Sequence, residues 1–293
     1  MKWNTLSAIV FILFSSSLSF AGGPWPIGTG NGFFQMGFST KQWDGRYEGT
    51  YSSTILRDLN RNVRESNLIF YGEYGLSSKL TLVGDIAYRM QHTSETVLNA
   101  ERAPFTEVLP AGSLNSTSNP GLQLKYALPT DKVALALMGR WQPNLSSRDA
   151  SIGLQSDYDA ATYSFGFALG SGSANSYWSL ESAFIVRGNS YGEGIGGNFQ
   201  WGYKLRSATY LILDVNYVVT LENGTYDDGN FAQTAAFTDN QGYLAYGAKV
   251  YSKFHKNFSF NLALYSGFAV VNQGNQPSGL FGGIAYELSK KNE

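Results

Sequence analysis

Cysteine is absent from all 293 residues, which excludes a disulfide framework, a thiolate nucleophile and any cysteine-based zinc site. Histidine is nearly absent as well. His92 and His255 are the only two, too few for a histidine metal centre. Charge is scarce: charged residues make up 15% of the chain, against roughly 25% in ordinary soluble domains. With 21 Lys+Arg against 22 Asp+Glu the net charge is -1. Such a chain has no basic field to grip phosphate backbones, so nucleic acid is not expected as a partner. No apolar run reaches the roughly 20 residues of a membrane-spanning helix. Aromatics and glycine are abundant instead, with 19 Tyr, 19 Phe, 6 Trp and 33 Gly. That content argues against disorder.

The first 21 residues read as a separate object. Lys2 gives a positive start, Ala8 to Phe14 a short apolar core, and Ser19-Phe20-Ala21 puts small residues at the two positions signal peptidase reads. This pattern predicts a secretory signal peptide over residues 1–21 and a single domain over 22–293. Losing Lys2 leaves the mature chain with 20 basic and 22 acidic residues, net charge -2.

Beyond Gly22 the hydrophobic period is two. Leu68, Phe70, Gly72, Tyr74 and Leu76 share one face, opposite Ile69, Tyr71, Glu73 and Gly75. Leu80, Leu82, Gly84, Ile86, Tyr88 and Met90 oppose Thr81, Asp85, Arg89 and Gln91, and the alternation recurs around Leu124, Val215 and Leu262. Such alternation over eight to twelve residues means strands with one apolar and one polar face. About twelve strands are expected, centred near Phe38, Phe70, Gly84, Leu124, Leu137, Phe165, Leu180, Phe199, Val215, Tyr246, Leu262 and Ile284. Short connections fall at Ser77-Ser78, 129–131, 170–175, 206–207 and 255–257. Longer ones fall at 44–65, 93–117, 143–157 and 222–239, with modest ones near 188–193 and 271–277.

An even strand count with every second connection tight predicts an all-β fold, a transmembrane antiparallel up-and-down barrel with short periplasmic turns and longer outer loops. A soluble sandwich also alternates, but its strands average five to six residues. These run nearer ten, the length a tilted strand needs to cross a bilayer. Phe33, Trp43, Trp141, Tyr177, Trp178, Tyr251 and Phe258 sit near strand ends, where girdles at the membrane interfaces are expected.

Two stretches carry a resemblance. The last strand, Phe281 to Leu288, resembles the assembly signal of outer-membrane barrels, with Tyr286 three residues after Gly283 and Leu288 two further. It departs from that signal in Phe281, where a polar residue is usual, and in its polar tail. The opening Gly22-Gly-Pro-Trp-Pro-Ile-Gly-Thr-Gly-Asn-Gly-Phe-Phe34 and Tyr71-Gly-Glu-Tyr-Gly-Leu76 resemble the Gram-negative outer-membrane barrels linked with the phenol-degradation meta pathway, distant relatives of the fatty-acid transporter barrels. The resemblance implies a transporter or channel for small molecules, apolar or aromatic ones among them. Fatty-acid barrels carry a long N-terminal plug. Only about ten residues precede the first strand here, and no plug is expected.

A search for chemistry returns little. His92 is followed by Thr93 and Ser94 rather than the Asn-Gly of outer-membrane phospholipases, and His255 lies in a tight turn beside Lys256. Asp227-Asp228-Gly229-Asn230 lacks the spaced ligands of a calcium loop and reads as an acidic turn. Gly192 to Gly197 is followed by a strand, not by the helix a phosphate loop requires. Asn115-Ser-Thr and Asn223-Gly-Thr match a glycosylation pattern that means little in a bacterial chain. No catalytic, cofactor-binding or metal site is expected, and no cofactor.

Placing each apolar face toward lipid sends Glu73, Asp85, Arg89, Lys125, Arg140, Glu181, Arg187, Lys204, Asp214, Lys249 and Glu287 into the lumen. Six are basic and five acidic, so strong ion selectivity is not expected. Neighbouring strands put Glu73 beside Asp85 and Arg89, and Lys125 beside Arg140. Inward Gly75, Ala87, Ala127, Ala134, Ala136, Gly166, Ala168, Ala183, Ala245, Gly247 and Gly283 leave space along the bore. The loop from Thr93 to Ser118 is long and apolar, and Ala103 to Leu114 is expected either to fold over or into the mouth, with Phe105, Val108 and Leu109 as a constriction, or equally to pack against the other outer loops. The expected function is an outer-membrane channel or transporter for small-molecule solutes in a Gram-negative bacterium. Its partners would be outer-membrane lipid and the barrel assembly machinery. The competing reading is a structural or surface-interaction barrel with a filled lumen, whose outer loops bind a partner.

Overall fold

The computed structural model describes residues 22–50, 53–97, 108–271, 273–274 and 279–290. Its strands in chain order are β1 (Gly32–Thr50), β2 (Ser53–Gly75), β3 (Leu80–Thr93), β4 (Gly112–Thr117), β5 (Gly121–Leu128), β6 (Ala134–Gln142), the short β7 (Arg148–Asp149) and β8 (Leu154–Gln155), β9 (Thr162–Gly172), β10 (Ser176–Arg187), β11 (Gly194–Arg206), β12 (Thr209–Thr220), β13 (Gly242–Lys253), β14 (Phe258–Val271), β15 (Gln273–Gly274) and β16 (Gly279–Leu288). A 3-10 turn spans Gly229–Gln233.

Successive wall strands pair antiparallel, and β1 pairs with both β2 and β16, which closes the sheet. β4 and β5 pair with the outer and inner halves of β3 respectively, so together they form one wall strand interrupted at 118–120. Proline cannot donate to a ladder, and Pro120 stands at that interruption. Counting β4 and β5 as one, and omitting β7, β8 and β15, the wall is a closed antiparallel barrel of twelve strands. Each of the twelve expected centres lies in a different wall strand.

The alternation decides which side faces out. Phe34, Met36, Phe38, Phe70, Leu124, Leu137, Phe165, Leu213, Leu262, Leu264, Leu280 and Ile284 are all exposed on the outer face. Trp141 and Tyr163, paired in register, mark one rim, and Trp201, Tyr203, Phe258 and Tyr286 the other. Four of the aromatics expected in the girdles point the other way. Phe33, Trp43 and Tyr177 are buried on the inward face, and the Tyr251 hydroxyl donates inward to Glu287 Oε1 at 2.6 Å. Strand-end position had suggested the girdle, but one residue of parity reverses the face.

The expected loop 44–65 is mostly strand. β1 and β2 continue as a hairpin through Gly45↔Asp58 to Thr50↔Ser53, with a bulge between Trp43 and Gly45. Its inward face mixes Leu59 and Val63 with Arg61 and Glu65, so no continuous apolar alternation marked it in the sequence. Ladder hydrogen bonds, the Arg46–Glu48–Arg57 ion pairs at 3.4 and 2.5 Å, and the burial of Leu59 and Val63 hold it.

Candidate functional site

The site is the bore, and among the described residues three segments that are not wall strands turn into it. The first is residues 22–31, at the end carrying the tight turns. These residues turn back into the barrel: Gly30 N donates to Gly75 O at 2.8 Å, and Ile27 N to Thr81 Oγ1 at 3.4 Å. Deeper in, Trp25 packs edge-on to Tyr177, with ring centroids 6.1 Å apart. The expectation of no plug is therefore corrected: ten residues are enough to cross a narrow bore. The wall is cut back to admit them. A Cβ on Gly75 would sit 1.8 Å from Gly28 O, and one on Gly170 would sit 2.8 Å from the Trp25 ring. Ala136 and Ala168, paired in register, face inward here and are fully buried. The small inward residues were the sequence signal, and they fit the returning segment.

The other two fillers come from the opposite end. Loop residues 143–161, which carry β7 and β8, and loop 221–241, which carries the 3-10 turn, fold inward. Ile152, Leu154, Ala235 and Ala236 form a buried apolar cluster with Trp43, Leu59 and Val63 of the β1–β2 hairpin. Trp43 Nε1 donates to Thr234 O at 2.8 Å, and Gln155 Nε2 donates to Ala236 O at 2.9 Å. Backbone groups buried in the mouth are thus paired by side chains, as buried polar groups must be.

Of the expected constriction, Phe105 lies outside the described residues. Val108 is exposed, while Leu109 is buried, with its carbonyl accepting from Thr96 N at 2.9 Å and its side chain against Gly153. Residues 112–117, expected as loop, are wall strand β4.

Among the described residues, two chambers lie along the bore. The larger, about 360 Å³, is lined by Arg89, Arg140, Arg187, Asp157, Glu181 and neutral polar groups such as Gln123 and Asn198. The second, about 350 Å³, is lined by Lys41, Glu65, Asn67, Arg89 and Tyr265. Arg89 borders both. It donates to Glu65 Oε1 at 3.0 Å, lies 3.9 Å from Asp157 Oδ2 and sits 4.7 Å from the Phe237 ring centre. Among the described residues, its Nε and that of Arg187 are buried without a hydrogen-bond partner. Burial raises the Asp157 carboxyl above its usual range, and Arg89 opposes that rise.

Charges expected in the lumen pair across non-adjacent strands. Lys125 reaches Glu73 at 3.3 Å over β3, and Arg140 grips Asp85 through both oxygens, at 2.6 and 2.9 Å, over β5. The expected neighbour relations are corrected accordingly: Arg89 goes to Glu65, not Glu73. A small-radius bore brings alternate strands within side-chain reach, which strand order alone does not show. Glu287 pairs with Lys253 at 2.6 Å. Asp214 is bonded by Asn198 and Asn216, and Lys249 faces inward on the adjacent strand, two residues out of register. Arg187 donates to Gly192 O at 3.3 Å and lies over the Tyr158 ring. Glu181 accepts from Gly23 N, and Lys204 lies half-buried near the tight-turn end of β11. Sequence reading missed Lys41, Arg61, Glu65 and Asp157, because all but Lys41 were assigned to loops.

His92 contacts Ser113 Oγ at 3.0 Å at the end of β3, and Asp227 Oδ1 accepts from Gly229 N at 3.0 Å in a turn. A further concavity, about 680 Å³, is an apolar furrow on the outer face lined by Phe34, Met36, Phe70, Leu122, Trp141 and Tyr286.

A closed barrel with an apolar exterior, a polar bore and inturned segments belongs to the outer-membrane class of β-barrel folds. No family model matches the chain, and no curated protein matches it by sequence. Among solved structures it is similar to the COG4313 outer membrane channel from Pseudomonas putida F1. The TM-score is 0.66 at 13% identity, over 92% of this chain and 99% of that one. It also aligns with the KdgM porin at a TM-score of 0.48 and 7% identity, over 87% of this chain and 99% of that one. At these identities the likeness is one of fold.

Proposed function

We propose that the chain is an outer-membrane channel that passes small polar molecules singly through the bore, closed at rest by residues 22–31 on the periplasmic side and by the two inturned loops outside. The observation that carries this reading is the chamber of about 360 Å³ lined by Arg89, Arg140, Arg187, Asp157 and Glu181. Its volume falls within the roughly 300–1,000 Å³ of small-molecule sites. A barrel built only as a scaffold has no need to hold three arginines around a cavity. The guanidinium groups of Arg89, Arg140 and Arg187 around the chamber favour solutes bearing acceptors, carboxylates among them. The fold likeness to an outer-membrane channel and the resemblance of the opening segment to the phenol-pathway barrels point the same way. Lipid would cover the apolar exterior, and the outward Tyr286 and Leu288 of β16 would be read by the assembly machinery.

One observation favours the second reading, a filled surface barrel: the apolar cluster of Trp43, Leu59, Val63, Ile152 and Leu154 gives the inturned loops a core of their own. Planar-bilayer recording separates the two. The channel reading expects brief openings in the natural protein and sustained conductance once residues 22–27 are deleted. Arg89→Ala, which joins the two chambers, should raise unit conductance further. Silence in all three proteins at every salt concentration would reject the channel and leave the surface barrel.

A further inference from the structure

The inner end of the returning segment meets a charge imbalance. Gly22 N donates to Glu73 Oε1 at 2.6 Å, and Gly23 N donates to Glu181 Oε1 at 2.8 Å. The Tyr71 hydroxyl also donates to Glu73 Oε1, and Lys125 Nζ holds Oε2 at 3.3 Å while reaching Gly23 O at 3.4 Å. Glu73 and Lys125 are only 2% and 4% exposed. The next carboxylate, Asp85, is occupied by Arg140. Two carboxylates therefore share one ammonium, and among the described residues no cation pairs with Glu181. An uncompensated charge in such a place is costly. The missing positive charge belongs where Gly22 N already sits.

Ser19 and Ala21 stand at the two positions a signal peptidase reads, directly before Gly22. We propose that processing at this bond supplies the charge and that the new N-terminus latches residues 22–31 inside the barrel. Hydrolysis adds one water across the Ala21–Gly22 peptide bond. The carboxylate leaves with Ala21, and Gly22 N, until then a neutral amide with one N–H, becomes a primary amine that takes up a proton near neutral pH. Three N–H donors and a full charge then face Glu73 at bonding distance, with Glu181 bound at the next residue. The ammonium is tethered to the segment it anchors, so its effective concentration at Glu73 is high. An unprocessed chain has only Lys125 as a cation here and keeps Gly22 N as an amide bonded to Ala21. The latch therefore forms only after export. This inference rests on processing after Ala21 and on the place of residues 22–31, not on conduction.

The test uses the protein purified from outer membranes. Its intact mass should correspond to a chain beginning at Gly22. The folded barrel is treated with an acetylating N-hydroxysuccinimide ester at near-neutral pH, where α-amines react ahead of lysines, and labelling of the N-terminal peptide is quantified. Relative to the boiled chain, the Gly22 amine should react at least about tenfold more slowly, since losing a charge-assisted hydrogen bond corresponds to a roughly ten- to hundredfold change. Glu73→Gln should restore reactivity. One serine inserted between Ala21 and Gly22, which leaves the wall untouched, should do the same and keeps the test decisive if Glu73→Gln fails to fold. A different N-terminus, equal labelling of folded and boiled protein, or protection surviving both changes would overturn the latch. If the amine is protected but no protein conducts, the latch stands and the channel reading falls.

Discussion

Replacing Gly75 with alanine probes the closed end at a single atom. The new methyl carbon would lie 1.8 Å from Gly28 O, 2.5 Å from Gly28 C and 3.0 Å from an Ile27 methyl. Non-bonded carbon contacts settle near about 3.5 Å, so the returning segment must retreat by about 1.7 Å. Two backbone hydrogen bonds span this contact, Gly30 N to Gly75 O at 2.8 Å and Gly75 N to Asn31 O at 3.0 Å. A retreat of that size takes both beyond hydrogen-bonding range. At about 0.5–1.5 kcal/mol each, their loss removes about 1–3 kcal/mol from docking of the segment. Its undocked fraction should rise roughly 5- to 150-fold. The wall ladder between β2 and β3 is unaffected, because the added methyl points into the bore. Amide hydrogen exchange read by mass spectrometry on the N-terminal peptide should quicken by that factor, while peptides from β2 and β3 stay unchanged. Unchanged exchange over residues 22–31 would refute the docked geometry. Faster exchange spread through the wall would mean that the methyl had damaged the barrel instead.

Two further predictions concern the outer end and the lipid face. Burial raises the Asp228 carboxyl to about 6, above its ordinary 3.8, while its Oδ1 accepts from Asp239 N at 2.8 Å. A carboxyl raised by folding favours the folded loop most when protonated. Packing of loop 221–241 should therefore be firmest below pH about 4 and weaken as pH rises to about 6. Protection factors across that window should lose this slope in Asp228→Asn. On the outer face, Leu262→Arg puts a cation at a site that is 57% exposed toward lipid. It should cost about 2–4 kcal/mol if the residue lies near mid-membrane. The natural protein should migrate differently unheated and boiled on denaturing gels, and the variant should lose its folded band at lower temperature. Equal persistence of that band would contradict a lipid-facing Leu262.

Alternation alone determined the wall. Leu68 to Leu76 and Leu80 to Met90 show their inward and outward faces in the sequence, because a membrane barrel must keep its exterior apolar and a strand has a fixed period of two. The inward course of Glu73, Asp85, Lys125 and Arg140 follows from the same rule. What alternation does not carry is anything that crosses the bore. The Glu73–Lys125 and Asp85–Arg140 pairs depend on the barrel's curvature, which brings alternate strands together. The hairpin beyond Trp43 alternates Leu59 and Val63 with Arg61 and Glu65 on its inward face, which breaks the apolar pattern, so Glu65 and Arg61 were read as loop although both are buried. Nor does a period of two say where an aperiodic segment will lie. Residues 22–31 and loops 143–161 and 221–241 have no repeat, and their places are set by the space that Gly75, Gly170 and Ala168 leave and by the polar partners buried around them. The sequence by itself made the barrel; closure of its two ends was decided by the tertiary structure, because shape complementarity inside a bore exists only once the wall has closed.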